Sequence, residues 1–75
     1  MPAKVAITVN GEMKEVLEGT SVTEFLQAMG VDSRRVAVEH NHNILAKAEY
    51  AGCRLRSGDQ LEIVHFVGGG SWKTH

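Results

Sequence analysis

The chain has 75 residues, 43% of them apolar, and a net charge of −1 from eight basic and nine acidic side chains. This length predicts one domain with a modest core, and it excludes an enzyme whose single chain encloses a deep substrate cavity. The scattered basic residues argue against nucleic-acid binding. Because no apolar run approaches about 18 residues, no secretion signal is recognisable, and Cys53 has no partner cysteine, we expect a cytoplasmic protein without a membrane span.

The first predicted elements are two strands joined by a tight turn. Residues 4–9 alternate between apolar and polar side chains with a period of two, which is typical of a strand. Asn10-Gly11 follows, and this pair favours a type I′ turn because both positions of that turn need a positive φ. We therefore predict a second strand over residues 12–17, although its own alternation is poor.

A helix is predicted over residues 21–29. Ser21 and Glu24 form a capping-box pattern at its start, and Gly30 is a natural terminator at its end. Four apolar residues spaced i, i+3, i+4 and i+7 form one stripe, which we expect to face the core. They are Val22, Phe25, Leu26 and Met29.

The second half of the chain predicts further strands. Residues 36–40 and 60–66 form the longer ones, and Asn41-His42-Asn43 turns the chain into a short strand over residues 44–47. The expected fold class is α+β, with one helix covering one face of a mixed sheet of four or five strands. The sheet side of the predicted core consists of Val5, Ile7, Val36 or Val38, Leu61 and Ile63.

After the last strand the chain becomes a run of three glycines, Gly68-Gly69-Gly70. Glycine lets another protein approach the backbone closely, and its entropic cost on ordering makes such a run a poor structural choice. Three extended residues span about 10 Å, enough to cross a narrow channel. We predict a folded domain over residues 1–67 and a flexible arm over residues 68–75 that enters the active site of an enzyme.

The order of these elements resembles the ubiquitin-like β-grasp fold. Within that group, residues 58–70, Gly58-Asp59-Gln60-Leu61-Glu62-Ile63-Val64-His65-Phe66-Val67-Gly68-Gly69-Gly70, are similar to the C-terminal block of the ThiS family of thiamine-biosynthesis sulfur carriers. The Asn10-Gly11 hairpin and the turn at residues 41–43 are similar to that family too. The resemblance covers residues 3–70.

The resemblance implies a chemistry for the end of the arm. The carboxylate of the terminal glycine is adenylated by an ATP- and Mg-dependent partner that resembles ubiquitin-activating enzymes. Sulfur from a donor such as a cysteine desulfurase then displaces the adenylate and leaves a thiocarboxylate. A thiazole synthase takes this sulfur into the thiazole precursor of thiamine. The chain itself would be a carrier rather than an enzyme, with no catalytic residue, metal or cofactor of its own.

The residues after the glycines depart from the family pattern, since such carriers normally end at the glycines. Here Ser71-Trp72-Lys73-Thr74-His75 follows, and an internal peptide bond offers no carboxylate to adenylate. A peptidase could remove this extension, it could be a cloning remnant, or the carrier could have lost its activity. We predict cleavage after Gly70, with Gly69 as the alternative reactive terminus.

The last strand also predicts a partner-binding surface. Leu61 and Ile63 begin its inward face, so strict alternation places Val64 and Phe66 on the opposite face. Exposed apolar residues beside a reactive arm are typical of an interface. The predicted partner-binding residues are Val64, Phe66, Val67 and Gly68.

Two other candidate sites are weaker. Cys53 could accept a persulfide sulfur, but nothing near it in sequence stabilises a thiolate, and we expect a buried small apolar residue. His40 and His42 have the i, i+2 spacing of a metal pair, but no set of thiolates or carboxylates accompanies them. We expect a turn histidine beside a strand histidine.

Two alternative functions stay open on the sequence. A sulfur carrier for molybdopterin, tungsten cofactor or amino-acid biosynthesis would share the fold, the arm and the adenylation. A β-grasp protein-binding module without sulfur transfer would use the glycines only as a flexible end.

Overall fold

The computed structural model describes residues 3–66. Within this range five strands and one α-helix follow each other, with a 3₁₀ turn after the helix and another before the last strand. In chain order the elements are β1 (Lys4–Val9), β2 (Glu12–Leu17), α1 (Val22–Ala28), a 3₁₀ turn (Ser33–Arg35), β3 (Val36–His40), β4 (Asn43–Leu45), a 3₁₀ turn (Lys47–Glu49) and β5 (Gln60–His65).

The strands form one mixed sheet in the order β2-β1-β5-β3-β4. The last strand, β5, lies in the centre, parallel to β1 and antiparallel to β3. This is the predicted β-grasp arrangement, and its fold class is confirmed. The predicted strand over residues 44–47 is shifted, because Lys47 already belongs to a 3₁₀ turn, and β5 ends at His65 rather than at Phe66.

Both predicted hairpin turns are present and use left-handed backbone conformations. Asn10 and Gly11 have φ values of 50° and 83°, and Asn41 and His42 have values of 52° and 71°. Asparagine tolerates this region because its short polar side chain bonds locally. Both asparagine side chains also reach across to β5: Asn10 bonds to the backbone of Ile63, and Asn41 accepts from the backbone N–H of Gln60.

The capping box at the start of α1 is confirmed. The Glu24 N–H donates to Ser21 Oγ at 3.0 Å, and the Ser21 N–H donates to Glu24 Oε1 at 2.9 Å. These bonds satisfy two of the backbone donors that a helix start leaves without partners.

The prediction that Met29 packs into the core is wrong. The helix ends at Ala28, so the i+7 position lies beyond its last turn, and the Met29 side chain is 44% exposed. The Gly30 N–H donates to the Gln27 carbonyl and the Val31 N–H to the Leu26 carbonyl, the paired bonds of a Schellman motif. In that motif the residue after the glycine folds back, and Val31 packs against the core in place of Met29.

The core lies between α1 and one face of the sheet. The helix contributes Val22, Phe25 and Leu26 as predicted, while Val5 is only partly buried at its margin. The loop before β5 adds Tyr50 and Leu55, the latter without a sequence signal. The buried apolar residues are Ile7, Val9, Val22, Phe25, Leu26, Val36, Val38, Tyr50, Leu55, Leu61 and Ile63.

The loop between β4 and β5 also completes the start of α1. The Val22 N–H donates to the Cys53 carbonyl and the Thr23 N–H to the Tyr50 carbonyl, at 3.0 and 3.2 Å. Two further helix N–H groups are thereby satisfied, so the loop packs as part of the core. No helix within residues 3–66 has the length and apolar character needed to cross a bilayer. The predicted domain boundary after Val67 lies outside the described residues.

We expect Phe25→Ala to lower the free energy of unfolding by about 3–5 kcal/mol, because Phe25 is only 5% exposed and its loss leaves a cavity beneath α1. Met29→Ala, at the other end of the predicted stripe, is the matched control and should cost less than about 1 kcal/mol. Urea denaturation followed by circular dichroism measures both. Equal losses for the two variants would contradict the assignment of the buried helix face.

Candidate functional site

The candidate site is the carboxyl end of β5, which precedes the glycines in the sequence. Leu61 and Ile63 are buried, and Val64 is 59% exposed on the face opposite the helix. The predicted alternation therefore holds through Val64. It stops at His65, which is exposed, and the next residue leaves the strand.

Phe66 does not lie on an open surface as strict alternation predicts. The residue is half-buried, and its backbone N–H donates to the Arg35 carbonyl at 2.9 Å. The Lys47 ammonium stands 5.9 Å from the centroid of its ring. Phe66 therefore continues the pairing with β3 by one hydrogen bond, and its ring lies near the loop that contains Lys47. Its predicted role in partner binding stays a prediction.

Lys47 is a residue of this site that the sequence did not indicate. Its Nζ donates to the Ser33 and Val36 carbonyls, both at 2.8 Å, and lies 5.5 Å from the centroid of the Tyr50 ring. A lysine at a 3₁₀ turn ordinarily suggests a solvated charge. Here the tertiary fold places it between the start of β3 and two aromatic rings.

The sheet face opposite α1, which we call the open face, carries exposed apolar residues among charges. Strand register places Ala37 beside Val64 and Glu39 beside Glu62. Towards the edges, Ile44 on β4 and Met13 on β2 are 81% and 76% exposed. Apolar side chains spread in this way beside the end of β5 form a surface on which a partner could dock.

The start of β5 is fixed by a cluster around Asp59. Its carboxylate accepts from His40 Nε2 at 2.9 Å, from Asn41 Nδ2 at 3.2 Å and from the Arg56 N–H at 2.9 Å. Because an ionised carboxylate only accepts hydrogen bonds, His40 Nε2 carries the proton of its bond. Burial alone would raise the pKa of Asp59, but the bonds from His40, Arg56 and Asn41 outweigh it and leave the pKa below its usual value of 3.8.

Neither weaker candidate forms a reactive site. Cys53 is partly buried and packs against the core, and burial, followed by the charges of Asp59 and Glu49, raises the pKa of its thiol. A thiol with a raised pKa holds little thiolate and is a poor sulfur acceptor. His40 pairs with Asp59, whereas His42 is exposed in its turn, and residues 3–66 contain no group of three or more His, Cys, Asp or Glu that could hold a metal ion.

The remaining predicted site residues, Val67, Gly68, Gly69 and Gly70, lie outside the described residues. What the structure places is the strand that leads to them, the open face beside that strand, and the contacts of Phe66. These features lie immediately before the predicted arm in the chain.

Comparison with known proteins decides the family. The family model described as the ThiS family matches residues 7–70. This chain belongs to the ThiS family. The crystal structure of the thiamine biosynthesis protein ThiS from Geobacter metallireducens superposes with a TM-score of 0.76 at 35% identity, covering 88% of this chain and all of that one. The relationship agrees with the β-grasp topology and with the block of sequence from Gly58 to Gly70.

Similar ThiS-like sequences occur in proteins of two sizes. The sulfur carrier protein ThiS of Bacillus subtilis is 34% identical over 65 residues, which cover 85% of this chain and 98% of that protein. The thiazole synthase of Paramagnetospirillum magneticum is 46% identical over 65 residues, or 87% of this chain. That stretch is 20% of the thiazole synthase, so the chain spans about a fifth of that relative.

We expect Asp59→Ala to lower the free energy of unfolding by about 2–3 kcal/mol near neutral pH, because three donors lose a largely buried charged acceptor. The folded-state pKa of Asp59 lies below its usual value of 3.8. This contribution is therefore present above about pH 4 and is lost as the pH falls through the folded-state pKa.

Urea denaturation between pH 2 and 7 measures the effect, with Glu15→Ala as the control, because Glu15 is exposed on β2 and its side chain makes no hydrogen bond or ion pair within residues 3–66. The difference between wild type and Asp59→Ala should shrink at the acid end of this range. A difference that stays constant with pH would contradict the role of the Asp59 charge.

Proposed function

We propose that this protein is a sulfur carrier of thiamine biosynthesis whose terminal glycine holds sulfur as a thiocarboxylate. The observation that carries the proposal is the match to the ThiS family, which extends through the glycines and ends at Gly70. The β-grasp domain supports it, since β5 leads directly from the centre of the sheet to those glycines. The chain acts as a protein co-substrate of partner enzymes.

The chemistry needs activation because a carboxylate is a poor acyl donor. In the proposed sequence, a carboxylate oxygen of Gly70 attacks the α-phosphorus of ATP, and pyrophosphate leaves. A sulfur nucleophile then attacks the acyl carbon of the resulting acyl adenylate, and AMP leaves with the former carboxylate oxygen. With a persulfide as the nucleophile, this attack forms an acyl disulfide, a thiol of the partner then supplies the two electrons that cleave its S–S bond, and the product is a thiocarboxylate. ATP and Mg belong to the activating partner, and a donor such as a cysteine desulfurase supplies the sulfur.

The carrier contributes position rather than catalysis. A docked domain presents its terminus at a high effective concentration, which replaces a bimolecular encounter with an almost unimolecular step. Two glycines give a terminus slim enough to reach a nucleotide at the bottom of a channel. For this chain, residues 71–75 must be removed before Gly70 can react, and we propose a peptidase for this step.

A thiazole synthase is the proposed acceptor of the sulfur. Two relatives named thiazole synthase, from Paramagnetospirillum magneticum and Magnetococcus marinus, contain a segment similar to this chain over 20% of their length. A carrier-like segment within a protein of that name supports thiazole formation over another sulfur-requiring pathway.

The open face beside Val64 is the proposed docking surface for the activating partner. We expect Val64→Asp to weaken the affinity for the activating partner by about tenfold or more, as substitution of a central interface residue does. The new carboxylate would lose its water in the interface without gaining a positively charged partner. Folding should survive, since Val64 is 59% exposed. Met13→Asp tests how far this surface extends, because Met13 is 76% exposed on the same face but two strands away on β2, and an affinity close to that of wild type would confine the interface to the end of β5.

Isothermal titration with the activating enzyme measures the affinities, and circular dichroism checks the fold. An unchanged affinity for Val64→Asp would place the docking surface elsewhere. Equal weakening by Met13→Asp would extend the interface over the whole open face.

The proposed mechanism predicts that a chain ending at Gly70 supports ATP–pyrophosphate exchange with the activating enzyme and that the chain ending at His75 does not. Only the former has a free glycine carboxylate at the end of its arm. Gly69→Val in the shortened chain should block charging without unfolding, because a β-branched side chain widens the arm and restricts its backbone.

The assay compares the chains 1–75, 1–70, 1–69 and 1–70 with Gly69→Val. Mass spectrometry should then show one oxygen replaced by sulfur in the charged carrier, which a binding module without sulfur transfer would not show. Exchange by a 1–75 chain whose extension stays intact would refute processing. Activity of 1–69 alone would move the reactive terminus to Gly69.

A further inference from the structure

The last described residue, Phe66, joins the sheet to the glycine arm and is held on two sides. Its backbone N–H bonds to the Arg35 carbonyl at 2.9 Å, which extends the pairing of β5 with β3 by one residue. Its ring lies 5.9 Å from the Lys47 ammonium. We call Phe66 the root of the arm, because every residue of the arm follows it in the chain.

The Lys47 ammonium is itself held by contacts independent of Phe66. Two of its three donors bond to the carbonyls of Ser33 and Val36 at 2.8 Å each. The buried Tyr50 ring lies 5.5 Å from the same nitrogen. A flexible lysine side chain loses rotamer entropy when it is held, so these three convergent contacts indicate a defined position rather than a solvated charge.

We propose that Lys47 is a positioning residue that fixes the root of the arm through the Phe66 ring. This inference rests on the proposed sulfur-carrier function and names the residue that aims the reactive terminus. A cation within about 6 Å of an aromatic centroid attracts the ring face. The glycines have no side chains with which to set a direction, so the direction in which the arm leaves is set at Phe66.

The position of the root controls the rate of charging rather than the affinity of docking. Loosening the root spreads the terminus over a larger volume and lowers its effective concentration at the bound nucleotide. A Lys47 substitution keeps the side chains of the open face, Val64 among them, because Lys47 contacts β3 only through the backbone carbonyl of Val36. A Lys47 variant should therefore lower kcat for charging and leave KM for the carrier close to that of wild type.

The test uses chains 1–70, which retain every described residue, as wild type, Lys47→Met, Lys47→Arg and Lys14→Met. Lys14 lies on the edge strand β2, two strands from β5, and is the matched control for loss of a lysine. In ATP–pyrophosphate exchange with the activating enzyme, Lys47→Met should lower kcat about threefold to tenfold with little change in KM, as expected of one cation–π contact. Lys47→Arg, which keeps the charge and the donors, should restore most of the rate.

Nuclear magnetic resonance of the full-length chain tests the contact without the enzyme. The ¹H–¹⁵N heteronuclear NOE of the Phe66 amide should fall in Lys47→Met and stay at the wild-type value in Lys14→Met. The ε-methylene protons of Lys47 should be shifted upfield by the two rings in the wild type. This second measurement decides the case if Lys47→Met fails to fold.

An unchanged kcat in a folded Lys47→Met chain, or a rise in KM alone, would overturn the positioning role. Random-coil shifts for the Lys47 ε-methylene protons would overturn the contact. If wild-type 1–70 is not charged at all, the proposed function fails. The NMR measurements then still decide whether Lys47 holds Phe66.

Discussion

The whole architecture depends on how the last strand is held in the middle of the sheet. The parallel pairing of β5 with β1 covers only two residue pairs, Thr8 with Gln60 and Val9 with Leu61. Beyond these two pairs, the Asn10 carboxamide forms hydrogen bonds with the backbone of β5. Its Oδ1 accepts from the Ile63 N–H at 2.7 Å, and its Nδ2 donates to the Ile63 carbonyl at 3.2 Å. One side chain thus pairs a backbone unit as a neighbouring strand would, and the hairpin turn satisfies polar groups of a buried strand.

Each end of β5 is then held by a cluster of different chemistry. At its start, the Asp59 carboxylate collects hydrogen bonds from His40, Asn41 and the Arg56 backbone. At its end, the Phe66 N–H bonds to the Arg35 carbonyl and its ring faces the Lys47 ammonium. In the proposed carrier function, a strand fixed at both ends would present the glycines that follow it from a constant point.

Similar sequences occur in proteins of two sizes, which agrees with a proposed role of positioning rather than catalysis. The domain makes up almost all of the Bacillus subtilis protein and a fifth of the Paramagnetospirillum magneticum thiazole synthase. Covalent linkage raises the effective concentration of one module for another, whereas a separate carrier must obtain it by docking. In the proposed function, the exposed apolar residues of the open face would provide the area for such docking, while the buried face beneath α1 stabilises the fold.

The sequence by itself determined the features that are encoded within a few residues. Period-two alternation located β1, the Ser21 and Glu24 capping box located the start of α1, and Asn10-Gly11 located its turn, because each depends on local backbone geometry. The C-terminal block from Gly58 to Gly70 also indicated the family, which the comparisons confirmed.

The tertiary structure alone decided where Lys47, Asp59, Leu55 and Phe66 lie. The hydrogen bonds of Lys47 reach residues 11 and 14 positions away, and the bond between His40 and Asp59 joins residues 19 positions apart. The bond between Ile63 and Asn10 joins residues 53 positions apart. No local periodicity reports such contacts, since they exist only once the chain has closed into a sheet. Met29 was misplaced for a different, local reason: a Schellman turn ended the helix before the apolar pattern did and left Val31 to pack against the core.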